Sequence, residues 1–169
     1  LLDSAQDTVA HCEEASLSIS PISFLKLEPV INKISLERGV VSITKDSSGL
    51  SLSKIFPQRE KKDTLGFSLD DFNSIDVYRV SIEDFKFKFV DLDAPLYKQQ
   101  YYTTVNWKNM EFEDINLDIR NLRMYDNLLE MELQNLSLKE RSGASIKELS
   151  FNIKSDTQYT GINDFHFKE

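Results

Sequence analysis

One cysteine, Cys12, stands alone among 169 residues, so no disulfide can close within the chain. That suits the cytosol, and equally a periplasmic protein that does without disulfides. Five glycines, none of them clustered, exclude a phosphate-cradling loop. Histidines are as scarce: His166 alternates with Phe165 and Phe167 and so reads as a surface residue. The His11-Cys12 pair is too isolated for a zinc site, which wants four ligands at set spacings. Lys and Arg number 20 against 28 Asp and Glu, and the one basic cluster is the short "QREKK" at 58–62. A net charge of −8 leaves no excess cation for phosphates, which predicts no nucleic-acid partner and no attraction to anionic headgroups by net charge. No apolar run approaches the roughly 20 residues of a membrane span, and the opening "LLDSAQDT" has neither a basic start nor a long apolar stretch. The chain as given reads as soluble, leaving a removed leader or anchor open.

What is present is a folded protein's composition, 40% hydrophobic with 11 Phe and 6 Tyr. The length suits one domain or two small lobes. Its dominant pattern is a period-two alternation that loses step. In "VSIEDFKFKFVD" Val80 and Ile82 are two apart, as are Phe85, Phe87 and Phe89, but the polar pair Glu83-Asp84 intervenes. The same figure returns at Met110, Phe112, Ile115, Leu117 and Ile119, and at Met131, Leu133, Leu136 and Leu138. Its second half recurs at Ile146, Leu149, Phe151 and Ile153, at Ile162, Phe165 and Phe167, and at Ile31, Ile34 and Leu36.

Side chains along a strand alternate between faces, so a spacing of three should reverse the apolar face. Two devices restore it. A β-bulge sets two residues against one and bends the strand, or the strand crosses into a second layer at the polar pair. Short connections such as "ERSGAS" permit antiparallel neighbours. Residues 75–169 therefore read as a meander of about five bent strands. Upstream, "ASLSIS" alternates, and "PVINKISLERGVVSITKDSSGLSLSKIF" reads as three short strands, broken at Arg38-Gly39 and at Asp46-Ser47-Ser48-Gly49. Leu2, Ala5, Val9 and Cys12 fit one face of an opening helix, and "PISFLKL" a helical turn or two. The expected fold is mainly β, a curved, largely antiparallel sheet forming a groove, with one or two short helices. The expected division is an N-terminal β segment at 1–56, a polar linker at 57–66, and a repeated bent-strand groove at 67–169. "GINDFHFKE" repeats the figure up to Glu169 without a capping segment, which predicts continuation into a longer array.

The expected groove lining is Val80, Ile82, Phe85, Phe87, Phe89, Phe112, Ile115, Leu117, Ile119, Leu133, Leu136, Leu138, Ile146, Leu149, Phe151, Ile153, Phe165 and Phe167. Met110, Met131 and Ile162 share their face. At about 2 kcal/mol for each buried side chain, leaving this face open would forgo on the order of 40 kcal/mol. The face must close on itself, meet another sheet, or hold an apolar ligand. The opposite face, with Ser81, Lys86, Lys88, Glu111, Asn116, Asp118, Glu130, Glu132, Ser137, Lys139, Lys147, Ser150, Asn152 and His166, reads as solvated.

The succession "FLKLEPVINKISLERGVVSITKDSSG", "VSIEDFKFKFVDLDAP", "INLDIRNLRM" and "LQNLSLKERSGASIKELSFNI" resembles the N-terminal half of the TamB family. TamB is the translocation and assembly module of the AsmA-like superfamily, and the likeness is to the form found in Bacteroides and its relatives. It covers about residues 15–154 and is most specific at "LSLKERSGASIKELSFNI", a strand, a Lys-Glu-x-Ser-Gly turn and a further strand. The resemblance implies a β-taco groove in the periplasm, carrying phospholipid acyl chains between inner and outer membranes in outer-membrane biogenesis. It also implies an inner-membrane anchor outside this segment and an Omp85-type barrel as a partner of parts not present here.

No enzymatic constellation accompanies these strands, and no cofactor is expected. Asp91 with Asp93, and Asp70 with Asp71, lack the ligand periodicity of a calcium loop and read as solvated loop acids. The sequon at Asn135 falls in a strand slip and reads as a chance match. Trp107, with Tyr101 and Tyr102, reads as core or groove-edge packing before ligand stacking. Two functional classes follow: a lipid-conducting groove, or a self-contained β-sandwich serving as an interaction or adhesion module.

Overall fold

The computed structural model describes residues 9–24, 30–47, 49–51, 74–94, 105–125 and 128–169. They form one open, curled, eight-stranded sheet that is mostly antiparallel. The strands are β1 (Ala10–Ile19), β2 (Val30–Asp46), β3 (Gly49–Leu50), β4 (Ser74–Asp91), β5 (Asn109–Tyr125), β6 (Leu128–Glu140), β7 (Ser145–Ser155) and β8 (Thr160–Lys168). A four-residue helix, α1 (Pro21–Phe24), follows β1. Spatial order follows the chain, β1-β2-β4-β5-β6-β7-β8, with β3 folded back on the end of β2. The five-strand meander is β4 to β8, and the hairpin in "ERSGAS" joins β6 to β7 at residues 141–144.

One junction departs from the antiparallel pattern. β2 and β4 run parallel, Val30 beside Asp76 through Lys45 beside Asp91 without a register shift. The chain between them, 47–73, has the length that a parallel crossover requires. Strands from the expected segments 1–56 and 67–169 therefore share one sheet. The expected linker at 57–66 lies outside the described residues.

The slips are bulges. Ile82 stands opposite Leu117 and Phe85 opposite Ile115, so three residues of β4 match two of β5. Leu117 and Ile115, two apart, share a face, and directly opposed residues do too. Ile82 and Phe85 therefore point the same way. The next pair, Phe87 opposite Phe112, puts the extra residue in β5 at Glu113-Asp114. Leu133 and Leu136 meet Phe151 and Leu149, Ile146 and Leu149 meet Leu138 and Leu136, and β8 slips at Asn163-Asp164 against Ser150 and Asn152. Backbone geometry agrees, for Asp84, Asp114 and Asp164 hold φ of 54°, 52° and 53°. Asp and Asn tolerate this left-handed conformation because a short polar side chain bonds locally. Arg38, with φ of 50°, is the exception, and it is clamped by Glu13 at 2.7 Å, Glu37 at 3.5 Å and Glu14 at 3.6 Å.

A bulge leaves backbone groups without a ladder partner. Asn116 serves two bulges at once. Its Oδ1 accepts from the Asp84 N–H at 3.1 Å, and its Nδ2 donates to the Asp114 carbonyl at 2.9 Å.

Three expectations change here. Val9 and Cys12 do not belong to a helix: Cys12 lies within β1, and its spacing of three to Ala15 across Glu13-Glu14 is the bulge figure again. Leu2 and Ala5 lie outside the described residues. Arg38-Gly39 is no break either, because β2 runs through it for 17 residues with a bulge in place of a turn. Ser81, expected in water, is 2% exposed between its neighbours Ser35 and Asp118.

Candidate functional site

The bulges keep every apolar triplet on one face, and the strand order stacks these residues into rungs across the sheet. One rung runs Leu17, Ile34, Val80, Ile119, Leu133, Phe151. The next runs Ala15, Leu36, Ile82, Leu117, Leu136, Leu149, Phe167, across seven strands. At about 4.8 Å per strand that is about 30 Å of continuous apolar floor. Beyond it, Phe85 meets Ile115, Leu138 meets Ile146, Phe87 meets Phe112, and Phe89 meets Met110. The Phe87 and Phe112 rings are 6.1 Å apart and tilted by 33°. Every expected lining residue that the strands carry is thus on one face, with Met131 and Ile153 paired at its flank.

Among the described residues nothing forms a second layer over this face, and the strands make one sheet rather than two. Apolar side chains there are mostly half-buried; of the described hydrophobics only Val9, Val77 and Leu133 are buried. Exposure grows toward the edges, to 60% at Leu17 in β1 and 65% at Phe165 in β8.

Sequence reading missed part of this face. Val77 and Leu122 form a rung with Ile31 and Ile19, because Val77 to Val80 and Ile119 to Leu122 are further three-residue spacings set side by side. Asn121, with φ of 51°, marks the second of these. Gly39 lies between Cys12 and Phe85, and the Phe85 ring covers its Cα so closely that an added Cβ would sit 2.2 Å from Cζ. The repeated figure was the available signal for Val77 and Leu122; a lone glycine gave none. Glu140 stands opposite Phe112 at the end of β6. It is 6% exposed, and its Oε2 accepts from the Ser142 N–H at 2.6 Å.

The reverse face is a lattice of cross-strand ion pairs. Arg79 grips Asp118 through two hydrogen bonds of 3.0 and 3.1 Å, Lys139 meets Asp114 at 2.7 Å, and Arg141 meets Glu111 at 3.1 Å. The Lys139 ammonium holds the Asp114 carboxyl below its ordinary range, and Asp114 in turn raises Lys139. After β4 the Asp91 carboxylate accepts from the Asp93 N–H at 3.2 Å and from Lys45, and these bonds hold it below its ordinary range. In the last hairpin the N–H groups of Gln158 and Tyr159 lower Asp156. A shallow concavity of about 610 Å³ on this face is walled by Lys88, Glu111, Glu113, Lys139, Glu140 and Arg141.

His166 is exposed on that face, 3.7 Å from Glu148, and His11 is exposed on β1. Asn135 lies in the β6 slip opposite Asp118. Trp107, in the turn before β5, is 72% exposed and does not pack in a core. Tyr101, Tyr102, Asp70 and Asp71 lie outside the described residues. Among the described residues no three His, Cys, Asp or Glu side chains gather as a metal site, and no helix is long and apolar enough to cross a membrane.

No model of a known protein family, no curated protein and no solved structure matches this chain.

Proposed function

We propose that the apolar face is a groove for phospholipid acyl chains, and that the chain is a segment of a TamB-like, AsmA-like protein. In this reading it works in the periplasm, conducting lipid between inner and outer membranes, with an inner-membrane anchor and any contact with an Omp85-type barrel lying elsewhere in the protein. One observation carries the proposal: among the described residues an apolar rung runs uncovered across seven strands, about 30 Å, while the other face is polar and laced with ion pairs. A single leaflet's hydrocarbon is about 15 Å deep, so an extended acyl chain fits along a rung. The mechanism is sliding without catalysis. Acyl chains lie against Phe, Leu and Ile side chains, and headgroups stay in water at the mouth.

Native mass spectrometry of the purified chain tests this directly. Co-purifying phospholipid is expected, and a ligand-free protein that also fails to take up added phosphatidylethanolamine would overturn the reading. The paired substitutions Phe87→Glu and Leu117→Lys put charges on the floor, where desolvation is costly. They should abolish lipid retention while circular dichroism still reports the sheet.

A further inference from the structure

Three tips at one end of the strands carry exposed apolar side chains. Trp107, before β5, is 72% exposed, Leu92, after β4, is 61% exposed, and Leu50, in β3, is 42% exposed. Backbone bonds set these tips side by side. Leu50 stands opposite Lys45, the Leu92 N–H donates to the Lys45 carbonyl at 2.8 Å, and the Asp91 N–H donates to the Lys108 carbonyl at 2.8 Å. The tips also adjoin the floor. Phe89 opposite Met110 is its last rung at this end, with Leu92 three residues beyond Phe89 and Trp107 three before Met110, so both stand within about 10 Å of it.

Exposed apolar residues scattered singly are ordinary, but a contiguous group holding a tryptophan marks a contact. At the other strand ends Tyr159 is as exposed, yet its ring is turned back over Gly161 of its own hairpin. Three side chains are too few for a stable protein interface, which takes about 20 residues a side. They suit a bilayer surface, where an indole buries its ring and keeps its N–H wet, and the exposed Lys108 beside it reaches headgroup level. The described charges around the tips are Lys45 and Lys108 against Asp46, Asp91 and Asp93. With no cation in excess, the contact draws on apolar insertion and gains nothing from anionic lipid.

We propose that the rim carrying Leu50, Leu92 and Trp107 inserts into the headgroup region of a zwitterionic bilayer, setting the Phe89 and Met110 end of the floor against the membrane. This rests on the acyl-chain groove proposed above and makes this rim the place where lipid enters or leaves it. Trp107 is the only tryptophan in the chain, so its fluorescence reports the contact. With phosphatidylcholine vesicles its emission should shift to the blue and be quenched by brominated acyl chains, equally at low and high salt. Leu92→Ser should weaken that partitioning about tenfold with the circular dichroism spectrum unchanged, and Tyr159→Ser should not. The paired Phe87→Glu and Leu117→Lys substitutions should keep the shift, which separates insertion in the bilayer from lipid drawn into the groove. Vesicle binding kept by a chain that retains no phospholipid would support insertion and overturn the groove alone. Emission unmoved by vesicles, in a chain that still co-purifies with phospholipid, would overturn the insertion and leave the groove standing. Binding that requires phosphatidylglycerol and is lost at high salt, or a shift that follows the chain's own concentration without vesicles, would overturn it too.

Discussion

At the residue scale the bulges rest on a few short polar side chains. Asp84 occupies a left-handed backbone conformation that costs most residues about 1–2 kcal/mol. Asp84→Gly should therefore be neutral or stabilise by up to about 1 kcal/mol, and Asp84→Val should destabilise by about 1–2 kcal/mol, read as urea midpoints at constant m. Asn116→Ala removes one bond from each of two bulges and should cost about 1–2 kcal/mol. Equal midpoints for Asn116→Ala and wild type would show that water serves those backbone groups as well. Asp114 titrates below the ordinary carboxyl range because Lys139 donates to it. Folded, it binds fewer protons than unfolded, so its contribution is present above about pH 3.9 and fades as pH falls through the lowered value. Lys139→Met should flatten the acid side of a stability-pH curve below the ordinary carboxyl range.

At the element scale, β2 and β4 bulge in step. Glu37 lies beside Glu83 and Gly39 beside Phe85, so Arg38 and Asp84, both left-handed, fall side by side and the parallel register never slips. Antiparallel β4 and β5 stagger theirs at Glu83-Asp84 and Glu113-Asp114, the β5 bulge falling one rung beyond that of β4. Gly39 makes room where the β2 bulge meets the Phe85 ring. Gly39→Ala should cost about 1–3 kcal/mol through overpacking. The double variant Gly39→Ala with Phe85→Leu should recover at least about 1 kcal/mol of it in a double-mutant cycle. Additive costs would mean that the ring does not depend on the glycine.

At the scale of the whole molecule, the described residues form a single curled layer with few buried apolar side chains, and its stability is spread along paired strands. Central β4 and β5 are bonded on both sides, while among the described residues β1 and β8 each pair with one neighbour. Amide hydrogen exchange should be slowest in β4 and β5 and fastest at the outward amides of β1 and β8. Uniform protection across all strands would point to a covering layer over the apolar face.

The alternation of apolar and polar residues determined the strands, the meander and the apolar face, because side-chain direction in a strand depends only on parity and on the polar pairs that reset it. Phe85 with Phe87, or Leu136 with Leu138, needed nothing more. Tertiary structure decided the rest. A bulge and a layer switch leave the same spacing in the chain, and only the opposition of Ile82 to Leu117 and Phe85 to Ile115 separates them. The three-residue spacing around Cys12 also serves a helix, and only pairing with β2 makes it a strand. The parallel union of β2 and β4 crosses a connection too long to read locally, so the depth of the face from β1 to β8 was not in the pattern. Neither was the burial of Ser81 between Ser35 and Asp118, since exposure depends on what stands beside a residue and parity says only which way it points.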